Sequence, residues 1–353
     1  MSKRKNEISI MNVLLCFIVI LIHLISKPVS ALSSDAPLYV PYTGLWRLST
    51  FVVQGFIFLS GMKIFLGNRR EKYSVFLAKR VKTILIPYIA AVFVYYLFFV
   101  YVLKYFPFSM KDFAGYLIRG DIAAQFYFVI VIMQFYLLYP IWCVVLDRIQ
   151  PLYAVIAAAA VNAVFGWYLI FISDKLIGYT PLFQDRIFTT YVIYWILGIY
   201  AGKYYDRFIG FINKHCVLVS VLAVMAAVTD AVTFLLNRYG RLTPIHLDMI
   251  HALYCLLIIP ALFASAYKIK EHTNGFIRTM DKASYYIYLV HVLFIFILDK
   301  GFEYLGFEIG SVTLSFVFRC TVIYAACIAF AYVYSYLKQQ SCMHGRKADI
   351  TGR

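Results

Sequence analysis

Charged residues are scarce in this chain. Asp, Glu, Lys and Arg make up 14% of the 353 residues, and hydrophobic residues make up 63%, whereas a typical soluble protein is about a quarter charged and about half apolar. Apolar runs long enough to cross a bilayer recur along the whole sequence. This composition excludes an ordinary soluble domain and predicts an all-α, polytopic integral membrane protein.

The sequence also lacks the motifs of several common sites. None of the seven cysteines forms a Cys-x-x-Cys pair, and most lie within apolar runs, so neither a disulfide framework nor a metal site is expected. No G-x-x-x-x-G-K-[ST] loop and no internal repeat occur, so a P-loop ATPase is not supported. We expect no bound cofactor.

Ten apolar segments predict transmembrane helices, because backbone polar groups have no water partner in hydrocarbon. They cover residues 8–26, 46–66, 83–103, 125–146, 151–172, 187–202, 216–236, 247–266, 283–298 and 311–335. The connections on the side of the N-terminus carry 21 Lys and Arg residues, against 10 on the other side, and such an excess stays in the cytoplasm. Both termini are therefore predicted to be cytoplasmic, with a transmembrane domain over 1–338 and a short basic tail over 339–353. Topology also accounts for the net charge of +16, so no nucleic-acid partner is expected.

The first span has an alternative interpretation. Lys3-Arg4-Lys5, an apolar core and Val29-Ser30-Ala31 together resemble a secretory signal peptide with its cleavage site. The apolar run is longer than an ordinary signal core, which favours a retained span. Cleavage would remove His23.

Ionisable residues inside spans are costly and mark candidate functional sites. Those in the outer half of the predicted spans are His23, Asp230, His246, Asp248, His251 and Arg319, and His291 lies near the middle of span nine. This asymmetry indicates a cavity that opens to the outside and binds a polar molecule. Structural alternatives stay open: His23 can hydrogen-bond a neighbouring helix, and Asp230 can pair with Arg319.

A compact basic segment, "AKRVKTILIPY", places Lys79, Arg80 and Lys82 directly before the third span. Because Arg and Lys suit phosphate recognition, the segment predicts a clamp for a phosphate-bearing donor in the cytoplasm. The alternative is the ordinary basic bias of cytoplasmic connections. A cytoplasmic donor site and an outer polar cavity together describe group transfer across a membrane.

Five stretches together resemble the membrane-bound acyltransferase 3 family. They are the His23 segment, "FVVQGFIFLSGMKIF" (51–65), "FLAKRVKTILIPY" (76–88), "QFYLLYP" (134–140) and "ASYYIYLVH" (283–291). Their order and spacing carry the resemblance, which covers the chain from span one to span ten. Within the family the chain looks most similar to the intercellular-adhesion polysaccharide O-acyltransferases, on "RVKTILIPYI" and "FVIVIMQF".

The resemblance implies ten core transmembrane helices and an enzyme of a bacterial plasma membrane. Such an enzyme passes an acyl group from cytoplasmic acyl-CoA to a hydroxyl of a cell-surface or exported carbohydrate. The family motif in span one is an arginine, ten residues and then a histidine, so the resemblance implies that His23 is catalytic. His291, at the end of "ASYYIYLVH", is the second catalytic candidate, and its alternative is a packed core histidine.

The chain departs from the family pattern at two places. Asn12 stands where the family has the arginine of span one, and Ile132 and Met133 stand where glutamates often precede "QFYLLYP". Donor binding is therefore expected to depend on Arg80 and its neighbours. Either Asp230 or another group substitutes for the missing carboxylate, or the chain has no such carboxylate. The donor-binding candidates are Asn12, Lys79, Arg80 and Lys82. The acceptor-binding candidates are Asp230, His251 and Arg319.

Two chemical routes and two rival functions remain open at this stage. His23 can take the proton of a sugar hydroxyl for direct attack on the thioester, since histidine titrates near neutral pH. Alternatively, it can first accept the acyl group covalently. The rival functions are a carbohydrate exporter or flippase with a degenerate acyltransferase fold, and an inert structural or sensory membrane protein.

Overall fold

The computed structural model describes residues 5–68, 70–167, 183–242 and 247–351. Within these ranges it contains α-helices and short 3-10 and π-helical segments, and no β-strand. The α-helices are α1 (Asn6–Ala31), α2 (Tyr39–Ser49), α3 (Val52–Phe65), α4 (Tyr73–Arg80), α5 (Ile86–Leu97), α6 (Met110–Arg119), α7 (Tyr127–Leu137), α8 (Tyr139–Arg148), α9 (Pro151–Trp167), α10 (Val192–Lys203), α11 (Tyr205–Lys214), α12 (Cys216–Arg238), α13 (Leu247–Lys268), α14 (Gly275–Leu305) and α15 (Val312–Thr351). The predicted all-α class is confirmed.

Seven helical stretches among the described residues are long and apolar enough to cross a membrane. They are Asn6–Ala31, Tyr39–Phe65, Tyr73–Val102, Cys216–Arg238, Leu247–Lys268, Gly275–Leu305 and Val312–Ser341. The pair α7 and α8, bent by 56°, makes an eighth if it crosses as one span. These helices identify a multi-pass membrane protein.

One of the ten predicted spans is shorter in the structure than the sequence indicated, and another lies partly outside the described residues. The segment 187–202 contains α10, which has only 12 residues. The segment 151–172 contains α9, and its last residues lie outside the described part of the chain, as does His246. A span count of ten therefore stays a prediction.

Helix α14 illustrates how local sequence sets the bounds of an element that carries a candidate site residue. Asn274 precedes the helix, and its side chain accepts a hydrogen bond from the backbone N–H of Ile277 at 3.1 Å, which satisfies one of the free amides of the first turn. Gly306 ends the helix in the left-handed conformation, at φ 59°, where glycine has no Cβ to clash. His291 is thereby held in the middle of a helix of 31 residues.

The chain divides into two compact units. The terminal unit contains residues 1–32 and 265–353, and the central unit contains residues 33–264. In the terminal unit, Asn6, Asn12 and Lys27 of α1 hydrogen-bond Lys270, Asp281 and Asp299 respectively. Because the partners advance in the same order along both segments, α1 and α14 run parallel.

Small residues let two helices of the central unit approach closely. A Cβ atom added at Gly198 of α10 would press against the backbone of Phe58 on α3, and one added at Gly202 would press against the backbone of Met62. Close approach through glycine is a common way to pack helices in membranes, where the hydrophobic effect does not drive their association. The family-like stretch 51–65 is thus fixed against α10.

Candidate active site

His23 and His291 lie side by side in the terminal unit. Their ring centroids are 5.0 Å apart, and the ring planes are inclined by 53°. His23 is half-buried, whereas His291 is fully buried. The structure therefore brings together the two histidines that the sequence identified as catalytic candidates, although they are 268 positions apart in the sequence.

The hydrogen bonds of His291 fix its tautomer. Its Nδ1 lies 2.8 Å from the carbonyl oxygen of Tyr288 and 3.2 Å from that of Ile287. A carbonyl oxygen only accepts, so Nδ1 carries the proton and Nε2 of the neutral ring is left with its lone pair. That Nε2 is buried and has no hydrogen-bond partner in the described part of the chain. An unsatisfied buried nitrogen calls for an explanation, and a proton or hydroxyl of a substrate would supply its partner.

Asn12 takes part in a polar cluster of the terminal unit that is separate from the histidine pair. Its amide nitrogen donates to Oδ1 of Asp281 at 2.8 Å and to Oγ of Ser284 at 2.7 Å. Asn12 and Asp281 are both buried. A cation at position 12 would therefore meet a carboxylate, whereas the amide of Asn12 gives Asp281 a neutral donor.

Arg319 belongs to a second charged cluster of the terminal unit. Its Nη2 lies 2.5 Å from Oδ1 of Asp299, and Nζ of Lys27 lies 3.0 Å from the same oxygen. Nε of Arg319 is buried and has no partner among the described residues. Lys27 and Asp299 each follow a candidate histidine by one or two helical turns, so this cluster lies farther along α1 and α14 than the histidine pair.

In the central unit, Arg80 is stacked on aromatic side chains. Its guanidinium carbon lies 5.0 Å from the ring centre of Phe76 and 5.1 Å from that of Tyr136, and such cation–π contacts hold an arginine in a defined place. The Nε of Arg80 is buried without a partner within the described ranges. Lys79 instead pairs with Glu71, and Lys82 is exposed in the π-helical segment Val81–Leu85.

Asp230 lies at the centre of a buried network in the same unit. Arg47 donates to both of its carboxylate oxygens, with distances of 2.8 to 3.1 Å. The Nδ1 of His251 lies 2.9 Å from Oδ2 of Asp230, and the other ring nitrogen lies 3.2 Å from Oγ1 of Thr50. The alternative in which Asp230 pairs with Arg319 is wrong, because each of them has a different partner.

The model of the acyltransferase 3 family, which is described as "Acyltransferase domain", matches residues 5–335. The chain belongs to the acyltransferase 3 family. The match covers the histidine pair and every other candidate site residue, and the predicted family is confirmed.

Curated relatives of this acyltransferase 3 protein cover most of its length. A "Probable poly-beta-1,6-N-acetyl-D-glucosamine export protein" of Staphylococcus aureus (strain MSSA476) is 25% identical over 313 residues, which cover 86% of this chain and 85% of the relative. A protein with the same description from Staphylococcus epidermidis is 24% identical over 93% of this chain and 91% of its own length. The "Putative membrane-bound acyltransferase YfiQ" of Bacillus subtilis (strain 168) is 25% identical over 83% of this chain and 81% of its own length. No solved structure matches.

The family match and the acyltransferase relative support the prediction of an acyltransferase bound to a membrane. They leave the roles of individual residues as predictions. Within the acyltransferase 3 chain, sequence reasoning missed Arg47, Asp281 and Asp299, which pair with Asp230, Asn12 and Arg319. All three are ionisable residues inside membrane-length helices, and this is the signal that could have identified them. Arg47 and Asp281 lie in or near the ends of predicted spans, where charged residues are common and do not by themselves indicate a site.

Proposed function

We propose that this protein transfers an acyl group from cytoplasmic acyl-CoA to a hydroxyl of a cell-surface or exported carbohydrate. His23 acts as the general base, and His291 is the second catalytic histidine. The observation that carries the proposal is the His23–His291 pair, in which backbone carbonyls fix the tautomer of His291 and leave its Nε2 unpartnered within the described ranges. Membership of the acyltransferase 3 family supplies the reaction class.

A sugar hydroxyl becomes a competent nucleophile when a base takes its proton during attack. A hydroxyl bound beside the pair would donate to His23. The lone pair on Nε2 of His291 would accept a hydrogen bond from a second hydroxyl or from the ring N–H of His23. The alkoxide oxygen then bonds to the acyl carbon, the carbon–sulfur bond of the thioester breaks, and the proton passes to the departing thiolate. In the covalent alternative, a nitrogen of His23 attacks first and the sugar oxygen takes the acyl group in a second step.

The donor side of the proposal rests on Arg80, Lys79 and Lys82. The guanidinium of Arg80 is held over two aromatic rings with one buried N–H still unpartnered in the described part of the chain, and arginine binds phosphate with charge-assisted hydrogen bonds. Lys82 is exposed and adds a second cation. Lys79 would contribute after exchanging Glu71 for the ligand. The amide of Asn12 would meet the donor only by the same kind of exchange with Asp281.

For the acceptor, we propose that His251 of the central unit contacts the carbohydrate, with Asp230 acting through His251, and that Arg319 of the terminal unit is a further carbohydrate-binding residue. Imidazole and guanidinium groups are suited to hydrogen bonds with sugar hydroxyls. Arg319 is almost fully buried and retains an N–H without a partner in the described ranges, which favours a polar ligand beside it.

We propose ten spans, with both termini and the basic tail 339–353 in the cytoplasm of a bacterial plasma membrane. The parallel course of α1 and α14 supports this topology. Two parallel spans cross the membrane in the same direction, so an odd number of spans must separate them in the sequence. Among the described helices this number is five when the bent pair crosses, and seven when the segments of α9 and α10 cross too. A reporter inserted at Ser34, between α1 and α2, should lie outside, and one fused after Lys338 should lie in the cytoplasm; the opposite result at either position would contradict the topology.

The test of the proposed reaction replaces His23 by alanine. Loss of a general base lowers the rate by about 10²–10⁴-fold, so His23→Ala should remove the acyl groups that mass spectrometry detects on cell-surface glycans of the wild-type strain, while the amount of protein in the membrane stays near normal. The matched control is His272→Ala, which changes an exposed histidine of the segment Lys270–His272. Near-full acylation by His23→Ala would show that the base is elsewhere.

A second candidate function, carbohydrate export, is favoured by two specific observations. Asn12 replaces the cation expected at the donor end, and its amide is bound to Asp281. The staphylococcal relatives are described as export proteins for poly-beta-1,6-N-acetyl-D-glucosamine. Equilibrium binding of acyl-CoA to the purified protein separates the candidates, because an exporter needs no acyl donor. Absence of binding would move the proposal from acyl transfer to export of a carbohydrate.

A further inference from the structure

The junction of α2 and α3 presents a hydroxyl to a histidine. Helix α2 ends at Ser49 and α3 begins at Val52, so Thr50 lies at the break inside an otherwise continuous apolar stretch. Its Oγ1 lies 3.2 Å from Nε2 of His251, which belongs to α13. Both residues are half-buried. Hydroxyl and imidazole are therefore within hydrogen-bonding distance.

A carboxylate lies on the other side of the same imidazole. Oδ2 of Asp230 lies 2.9 Å from Nδ1 of His251. Because a carboxylate accepts, Nδ1 carries a proton and the ring presents Nε2 to Thr50. The order hydroxyl, imidazole, carboxylate is the arrangement by which a base activates an alcohol as a nucleophile while a third group orients the base. Asp230 is fully buried, whereas Thr50 and His251 are half-buried.

Arg47 fixes the carboxylate end of this series. It donates Nε and Nη2 to Asp230, and Nη2 also lies 3.1 Å from the carbonyl oxygen of Leu247, the first residue of α13. One guanidinium therefore ties α2 to both α12 and the helix that carries His251. A paired carboxylate keeps its charge in a buried place, so Arg47 and Asp230 position His251 without contacting a substrate.

The hydroxyl hydrogen of Thr50 has two available acceptors. Oγ1 lies 2.6 Å from the carbonyl oxygen of Arg47 and 3.2 Å from Nε2 of His251. The carbonyl already accepts the backbone N–H of Thr50 at 3.2 Å, so it keeps one hydrogen bond when the hydroxyl turns to the imidazole. Rotation about the C–O bond alone brings the hydroxyl into the reactive arrangement.

We propose that Thr50 accepts an acyl group from an acyl thioester or an acyl ester, with His251 as its general base and with Asp230 and Arg47 as positioning residues. The proposal rests on the proposed function for the presence of an acyl donor, and it places a covalent acyl-threonine in the central unit, which contains all four residues. It is an alternative to direct attack assisted by His23: glycan acylation that persists in His23→Ala and is lost in Thr50→Val would assign the transfer to Thr50.

The exchange balances in two steps. Oγ1 of Thr50 bonds to the acyl carbon, Nε2 of His251 takes the hydroxyl proton, the bond from the acyl carbon to the sulfur or oxygen of the donor breaks, and the departing thiolate or alkoxide takes that proton. A carbohydrate hydroxyl then attacks the acyl-threonine ester while His251 takes its proton. The ester bond to Thr50 breaks, and the proton returns to Oγ1.

The experiment incubates the purified full-length protein in nanodiscs with acetyl-CoA and, separately, with para-nitrophenyl acetate, an activated ester that needs no CoA site. Peptide mass spectrometry after an acid quench should locate one acetyl group on Thr50, and hydroxylamine should remove it as it removes esters. Thr50→Ser keeps the hydroxyl and should remain labelled. Thr50→Val keeps the shape but has no oxygen, and it should lose the label.

Rates of labelling separate reactive from structural roles. His251→Gln should label at least about 10²-fold more slowly, as for loss of a general base. A positioning role predicts that Asp230→Glu, which keeps the carboxylate, labels faster than Asp230→Asn, whereas loss of fold would abolish both together with the thermal transition of the protein.

The possible failures are distinguishable. Absence of acetyl-Thr50 from both reagents, or glycan acylation by Thr50→Val at the wild-type rate, would overturn the acyl-threonine and leave the proposed function intact. Labelling of Thr50 by para-nitrophenyl acetate but not by acetyl-CoA would support the inference and contradict the proposed donor.

Discussion

Replacing His291 by leucine should abolish acyl transfer without destabilising the protein. The side chain is fully buried in α14, and its Nε2 has no partner in the described part of the chain. Leaving a buried polar group unsatisfied costs about 1–3 kcal/mol, whereas the bond from Nδ1 to the backbone contributes only about 0.5–1.5 kcal/mol. The carbonyl groups of Ile287 and Tyr288 keep their helical hydrogen bonds when the ring is removed.

The balance of these contributions favours the variant. His291→Leu loses about 1 kcal/mol of hydrogen bonding and removes about 2 kcal/mol of unsatisfied polarity, so its free energy of unfolding should be equal to that of the wild type or about 1 kcal/mol higher. Loss of a catalytic acid or base lowers the rate by about 10²–10⁴-fold, which corresponds to about 3–5 kcal/mol in the activation free energy.

Two measurements on the same preparation test this prediction. Thermal unfolding in one detergent should give His291→Leu a Tm at or above that of the wild type, and acyl transfer to a carbohydrate acceptor should fall to background. Leu289→Ala, a change at another buried position of α14, is the matched control and should lower the stability by about 2–5 kcal/mol. A Tm of His291→Leu as low as that of the control would refute the reasoning, because it would make His291 a packing residue.

Two further predictions concern helix contacts. Asn12→Arg should insert normally and should lower the apparent KM for acyl-CoA, because Asp281 is in place to hold the added cation. Asn12→Leu should lose about 1–3 kcal/mol of stability, since it removes a donor to a buried carboxylate. Equal KM values for wild type and Asn12→Arg would contradict the assignment of position 12 to donor binding. Gly198→Ala should destabilise the protein by about 1–3 kcal/mol, because the added Cβ meets the backbone of Phe58. Gly210→Ala, with open space around it, should leave the Tm unchanged or raise it. Equal effects of the two alanines on Tm would refute the close packing at Gly198.

The membrane class and the family were predictable from the sequence, because both depend on properties that are local or ordered along the chain. Hydrophobicity over about 20 residues decides whether a helix can span a bilayer, and seven such helices are present within the described ranges. The stretches around His23 and His291 carried the family resemblance through their order. The same local criterion assigned a full span to 187–202, where the structure has a helix of 12 residues preceded by 3-10 turns.

The partners of the candidate site residues were not predictable, because apolar periodicity does not say which helices meet. Asn12 and Asp281 are separated by 269 positions, and Arg47 and Asp230 by 183. The sequence around each residue gave no sign of its partner. The sequence left Arg319 open as a partner of Asp230, whereas the packing of α2 against α12 supplied Arg47.

The sequence by itself determined that this chain lies in a membrane, that it has the acyltransferase 3 pattern, and that His23 and His291 are the histidines to consider. The membrane assignment follows from the cost of placing polar groups in hydrocarbon, which is a property of each segment separately. The family and the two histidines follow from the resemblance carried by the order of the quoted stretches. Only the tertiary structure decided that the two rings are 5.0 Å apart, that His291 keeps its proton on Nδ1, and that Thr50 meets His251 and Asp230. Hydrogen bonds act over about 3 Å, so their pattern exists only after helices distant in sequence have packed.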